Sequence, residues 1–181
     1  MLDLTKKVLP SAVNVGGEYF PVKTDFRTWL RFIQILNQKD SVLEDLDWIY
    51  TEKLPDDKKS GFEALVSFAY PERILPRSDG TKSESVFDYT IDSDLIYAAF
   101  REQYGIDLLT QDMHWHVFSA LFSGLHGTKL NEIMGFRSYD ENDHSKYEEN
   151  MKKLRDAWTL AGLENLADEQ KAEEEFNREF N

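Results

Sequence analysis

The chain has 181 residues, no cysteine, and 34 acidic against 21 basic residues, for a net charge of −13. That charge repels a phosphate backbone over most of the surface, and the missing thiols exclude disulfides and cysteine nucleophiles. Hydrophobic residues make up 41% and aromatic residues 13%, which excludes disorder throughout; a chain of this length suits one domain burying about two-thirds of its unfolded surface.

No segment approaches the apolar length of a membrane span, and the opening MLDLTKKVLP has no run suited to a signal peptide. A reducing, cytoplasmic setting fits the absence of cysteine. Residues 8–23 read as a β-hairpin: Val13-Asn14-Val15 and Tyr19-Phe20-Pro21-Val22 flank the turn Gly16-Gly17. Pro21 cannot donate to a ladder, so the second strand is an edge. The ribbon needs helices to pack on, through Val13, Val15 and Phe20 or Tyr19.

Thr24 is expected to cap a helix whose Phe26, Trp29, Leu30, Ile33 and Leu36 form one stripe, widened by Phe32 and Ile35. Ser41-Val42-Leu43-Glu44 reads as a capping box opening a helix with Leu43, Leu46 and Ile49. A second box, Ser60-Gly61-Phe62-Glu63, leads Phe62, Leu65, Val66 and Ala69 towards a stop at Pro71. Residues 71–92 read as a long loop, with Val86–Thr90 as its one strand candidate. Asp92 is expected to cap a helix carrying Leu95, Ile96, Ala99, Phe100 and Tyr104, ended by Gly105 with Ile106 folded back on Phe100. Gly135-Phe136 and Gly162-Leu163 predict two further stops of that kind.

The stretch Met113–Arg137 is the expected centre of the domain. Trp115, Phe118, Phe122 and Leu125 fall at helical spacing, with Val117, Ala120 and Leu121 on the adjoining faces. Gly124 and Gly127 interrupt this helix before a short second one, Lys129–Met134, with Leu130 and Ile133. In the last helix Tyr147, Met151, Leu154, Trp158 and Ala161 alternate steps of four and three, a seam that wants a facing helix from this chain or another copy. Residues 140–181 hold 13 acidic and 6 basic residues. They form either a solvated, frayed helical surface or an acidic contact for a basic partner. The resulting fold class is mainly α: a compact helical domain (1–140) with the short N-terminal β-hairpin, then an acidic C-terminal helical segment (141–181) packed on it or projecting from it.

No catalytic, cofactor or metal site is legible. On a helix the imidazoles of His114 and His116 point about 200° apart and do not converge on one ion. Val15-Gly16-Gly17 lacks the helix and lysine of a phosphate loop, and no Gly-x-Ser-x-Gly occurs. Asp92, Asp94 and Asp107 are read as caps and solvated carboxylates, and Arg27 and Arg137 as surface ion pairs.

Three stretches taken together resemble a known family: Thr24–Phe32, Asp92–Leu108 (DSDLIYAAFREQYGIDL) and Met113–Arg137. Over roughly residues 20–140 the chain resembles the bacteriophage "gene product fifteen" family of tailed phages and prophages. Leu95-Ile96-Tyr97-Ala98-Ala99-Phe100, Tyr104-Gly105-Ile106-Asp107-Leu108 and His114-Trp115-His116-Val117-Phe118 occupy its motif places. One departure is His116, where the pattern has a second tryptophan. The resemblance implies a non-enzymatic tail assembly protein encoded before the tape-measure gene. It would be a chaperone that keeps the tape-measure protein soluble in the host cytoplasm until tail tube protein polymerises around it, working alone or as an oligomer. The alternatives are a minor structural protein of the virion tail and an acidic mimic of nucleic acid. Trp29, Trp115, His116, Phe118, Phe122, Arg137 and Trp158 are the candidates for partner contact or structural core.

Overall fold

The computed structural model describes residues 2–37, 46–71, 85–139, 148–161 and 163. It is mainly helical, with six α-helices and one two-stranded hairpin among the described residues. No described helix is long and apolar enough to cross a membrane. The chain forms two compact units, Met1–Arg77 with Leu108–Gly124, and Ser78–Asp107 with Leu125–Asn181.

In the first unit, β1 (Ala12–Val15) and β2 (Glu18–Pro21) pair antiparallel, with Val13 opposite Phe20. Gly16 and Gly17 have φ of 60° and 94°, the left-handed pair that a two-residue turn matching strand twist requires. Val13 and Phe20 are buried while Tyr19 is exposed, so the pleat points one face at the helices. Pro21 lacks a donor but its carbonyl accepts from Thr51, and Val22 bridges Tyr50. The outer edge is thus partly paired at its end.

Helix α1 (Phe26–Asn37) buries Phe26, Trp29, Phe32 and Ile33. Phe32 lies at the centre of the stripe and not on its flank, with no exposed surface. The helix start belongs to Asp25 instead of Thr24: the Asp25 carboxylate accepts the Arg27 N–H at 3.0 Å, the N-cap role. The Ser41 capping box lies outside the described residues. Of the helix expected after it, the described part is a 3₁₀ turn, Asp47–Ile49, that buries Ile49. Helix α2 (Lys58–Ala69) starts before the Ser60 box because Asp57 caps it, accepting from the N–H groups of Lys59 and Ser60. It ends at Tyr70, ahead of Pro71, as the proline predicts. Helix α4 (Trp115–Ser123) completes this unit. It buries Trp115, His116 and Phe118, whereas Phe122 is only half-buried.

In the second unit, residues 85–92 form turns and no strand, so the strand expected over Val86–Thr90 is not formed. Helix α3 (Ser93–Tyr104) buries Ile96, Ala99 and Phe100. Gly105 at φ 69° stops it, and the Ile106 N–H returns to the Phe100 carbonyl, the Schellman arrangement. Helix α5 (Lys129–Arg137) is opened by a capping box between Thr128 and Asn131 and buries Leu130 and Ile133. It runs through Gly135 to Arg137, so the stop expected at Gly135-Phe136 is not there. A glycine in a helix costs only about 1 kcal/mol against alanine, too little to end an element whose last residue, Arg137, is held by a buried ion pair. Gly162 lies outside the described residues. Helix α6 (Glu148–Ala157) packs on α5 and ends before Trp158, so the seam drawn from Met151 to Ala161 is not one continuous helix.

Phe118 has no exposed surface and stacks on Phe26 at 4.7 Å. Phe118→Ala should lower unfolding free energy by about 3–5 kcal/mol in a denaturant titration, through lost burial and a cavity. Phe122→Ala should cost clearly less, and an equal cost would contradict the placement of the two rings.

Candidate functional site

The first unit is organised by a backbone junction. Asp25 and His114 form an isolated antiparallel bridge in which the Phe26 N–H donates to the Met113 carbonyl at 2.9 Å and the Trp115 N–H to the Thr24 carbonyl at 2.7 Å. Each bond uses one of the donors that a helix N-terminus leaves unpaired, so α1 and α4 begin tied to each other. His114 adds a cap. Its Nδ1 accepts the His116 N–H at 3.0 Å, which fixes the ring proton on Nε2, where it donates to the Pro10 carbonyl at 2.8 Å. Burial holds the His114 pKa below its ordinary value, against the opposing effect of the Pro10 bond.

Behind this junction the aromatic candidates close on one another. Trp29 stacks on Phe68 at 4.4 Å and donates its indole N–H to the Lys23 carbonyl. Trp115 stacks with Phe118 and donates to the Ala69 carbonyl at 2.9 Å. His116 is buried beside them. Its ring packs on Phe68 at 4.5 Å and its Nε2 donates to the Phe68 carbonyl at 3.0 Å. Trp29, Trp115, His116 and Phe118 are all at most 4% exposed. The two indole N–H groups and His116 Nε2 are bonded within the unit, while His116 Nδ1 is buried without a hydrogen-bond partner among the described residues. The four side chains shape surfaces instead of forming them. Among the described residues no group of histidines and carboxylates could hold a metal ion.

Arg27 lies on the half-exposed side of the same junction. It pairs with Asp25 at 3.0 Å and donates to the carbonyls of Leu108 and Gln111. A guanidinium fork thereby fixes the loop that enters α4, and the Asp112 carboxylate stands 3.5 Å away.

In the second unit, Arg137 is no surface ion pair. Its side chain is 3% exposed and meets Asp92, 2% exposed, through two bonds of 2.6 and 2.9 Å. It also donates to the carbonyls of Val86 and Trp158 at 3.1 and 2.6 Å. Asp92 stands at the N-cap position of α3 but makes no side-chain cap bond, because its carboxylate serves Arg137 and the Asp88 N–H. The three partners tie the turn before α3 and the residue just after α6 to a cation at the end of α5. Trp158 itself is half-buried.

Among the described residues, one surface feature that can receive an apolar side chain is a 320 Å³ cleft of the first unit. Leu46, Tyr50, Pro55, Phe62 and Leu65 line it, with Asp47 and Lys58 paired at its rim. Gly61 lets the Pro55 loop lie close: a Cβ there would come within 2.6 Å of the proline Cγ. The Tyr50 hydroxyl donates to the Gly61 carbonyl, and burial followed by the Asp47 charge raises its pKa. Sequence reading did not find this cleft, because its walls come from a 3₁₀ turn, a loop and α2.

A family model described as Bacteriophage Gp15 protein matches residues 5–160, a span that takes in the hairpin as well as the three motif stretches. No curated protein and no solved structure matches the chain.

Two measurements check these arrangements. Asp92→Ala leaves a buried guanidinium without its counter-charge and should cost about 3–5 kcal/mol; a loss under about 1 kcal/mol would be that of a surface pair. For His114 the folded pKa lies below the unfolded value near 6.5. The unfolded chain therefore binds more protons there, and the contribution, complete above pH 6.5, is lost as pH falls below it. Asn is a good N-cap without the titration. The stability of wild type relative to His114→Asn should decline on acidification below 6.5, and a difference constant with pH would contradict this role.

Proposed function

This chain belongs to the bacteriophage Gp15 family, and on that premise we propose that it is a non-enzymatic tail assembly protein, a chaperone for the tape-measure protein during tail morphogenesis. Family membership is the observation that carries the reading. The chemistry of the surface supports it: long amphipathic helices expose apolar stripes that aggregate, and a protein offering an apolar cleft and a charge of −13 covers such stripes while adding repulsion. The work is done by binding, in the cytoplasm of the bacterial host, with tail tube protein displacing the chaperone as it polymerises.

Co-expression with the neighbouring tape-measure gene is the test. Tape-measure protein should remain soluble and co-purify with the chain, and Phe62→Glu in the half-exposed wall of the cleft should reduce capture while circular dichroism stays unchanged. Purified virions should lack the chain. Its presence in virions without tape-measure capture would instead mark a minor structural protein of the tail.

A further inference from the structure

Cations are outnumbered in this chain, and most of those described in the first unit are matched to a carboxylate. Lys53 pairs with Glu18, Lys58 with Asp47, and Arg27 with Asp25 and Asp112. Lys23 and Arg31 depart from this pattern: both are exposed, and among the described residues neither forms an ion pair. Both lie over one indole instead. The Arg31 guanidinium carbon is 4.7 Å from the Trp48 ring centre and the Lys23 ammonium 6.0 Å.

The fold dictates this grouping. The Lys23 N–H donates to the Ile49 carbonyl at 2.9 Å, which sets it beside the 3₁₀ turn that carries Trp48. Arg31 falls on the exposed face of α1, opposite the buried stripe of Phe26, Trp29, Phe32 and Ile33. Among the described residues, the neighbouring acids Asp47 and Asp25 are engaged by other cations: Asp47 is held by Lys58 at 2.6 Å and Asp25 by Arg27 at 3.0 Å. Two cations over a half-buried indole make a surface with positive charge and an aromatic face, suited to carboxylates followed by a ring.

We propose that the Lys23–Trp48–Arg31 face docks the acidic C-terminal stretch of a second copy of this chain, at Glu173-Glu174-Glu175-Phe176. Residues 164–181 hold 7 acidic and 2 basic residues, and most of the chain's surface carries the same sign and repels them. The glutamates supply carboxylates for the guanidinium fork and the ammonium, and Phe176 supplies a ring for the open part of the indole. Reciprocal docking of two tails closes a dimer with two equivalent contacts. The inference goes beyond the tape-measure reading and does not depend on it.

Sedimentation velocity of the full chain over a concentration series tests it. At about 0.15 M salt the screening length is about 8 Å, which damps the net repulsion between copies but spares contact pairs, and at about 1 M it falls to about 3 Å. Dimer should form at the lower salt and dissociate at the higher. Arg31→Glu should weaken dimerisation at least about tenfold, equivalent to about 1.4 kcal/mol. So should replacing Glu173, Glu174 and Glu175 together by Lys, and mixing the two variants should restore a mixed dimer. A monomer at both salts would overturn the proposal, as would a dimer indifferent to Arg31→Glu. Association that strengthens with salt would also overturn it, since that is the behaviour of an apolar seam.

Discussion

Two helices that begin at one backbone bridge share a constraint that neither has alone. In the first unit, α1 and α4 start at the Asp25–His114 pair, and each uses the other's leading carbonyl to satisfy an orphan N–H. Trp29 and Trp115 are then carried into the same interior, where each indole finds a carbonyl to donate to. A buried indole left without an acceptor would cost about 1–3 kcal/mol. The junction therefore fixes the rotation of both helices as well as their separation, and Arg27 extends that order outward into the loop before α4.

The second unit solves a different problem, that of a charge in its interior. Arg137 spreads its donors over a carboxylate and two carbonyls from two segments, the turn before α3 and the residue after α6. Such a group adds little net stability over an apolar replacement of the same shape, but it penalises every arrangement that fails to bring all its acceptors together. The short α5, with an apolar face of only Leu130 and Ile133 buried, gains definition from that demand.

Legibility followed the range of the interactions. The hairpin, the α1 stripe and the Gly105 stop rest on neighbours within a few residues, and their signals stand in the sequence. Caps were misplaced by one to three residues because Asp25 and Asp57 compete with equally eligible neighbours, Thr24 and Ser60. The roles of Asp92 and Arg137 were hidden, since the pair joins residues 45 apart and nothing local separates a carboxylate that caps a helix from one that holds a cation. Gly135 misled for the converse reason: its sequence context matches a helix stop, while Ile133 before it and the buried Arg137 side chain after it carry the helix on. The cationic face on Trp48 was likewise invisible, being assembled from a strand end, a helix and a 3₁₀ turn.

The contact between His116 and Phe68 couples two distant positions of the chain. The histidine reaches a main-chain carbonyl while its ring lies against the side chain of the same residue, so one position supplies both the acceptor and the wall. A tryptophan at 116 would carry its own N–H donor but a larger ring, and the wall would have to recede for it. Positions 68 and 116 thus form one unit of change in this chain: a larger ring at 116 is accommodated only if the side chain at 68 becomes smaller.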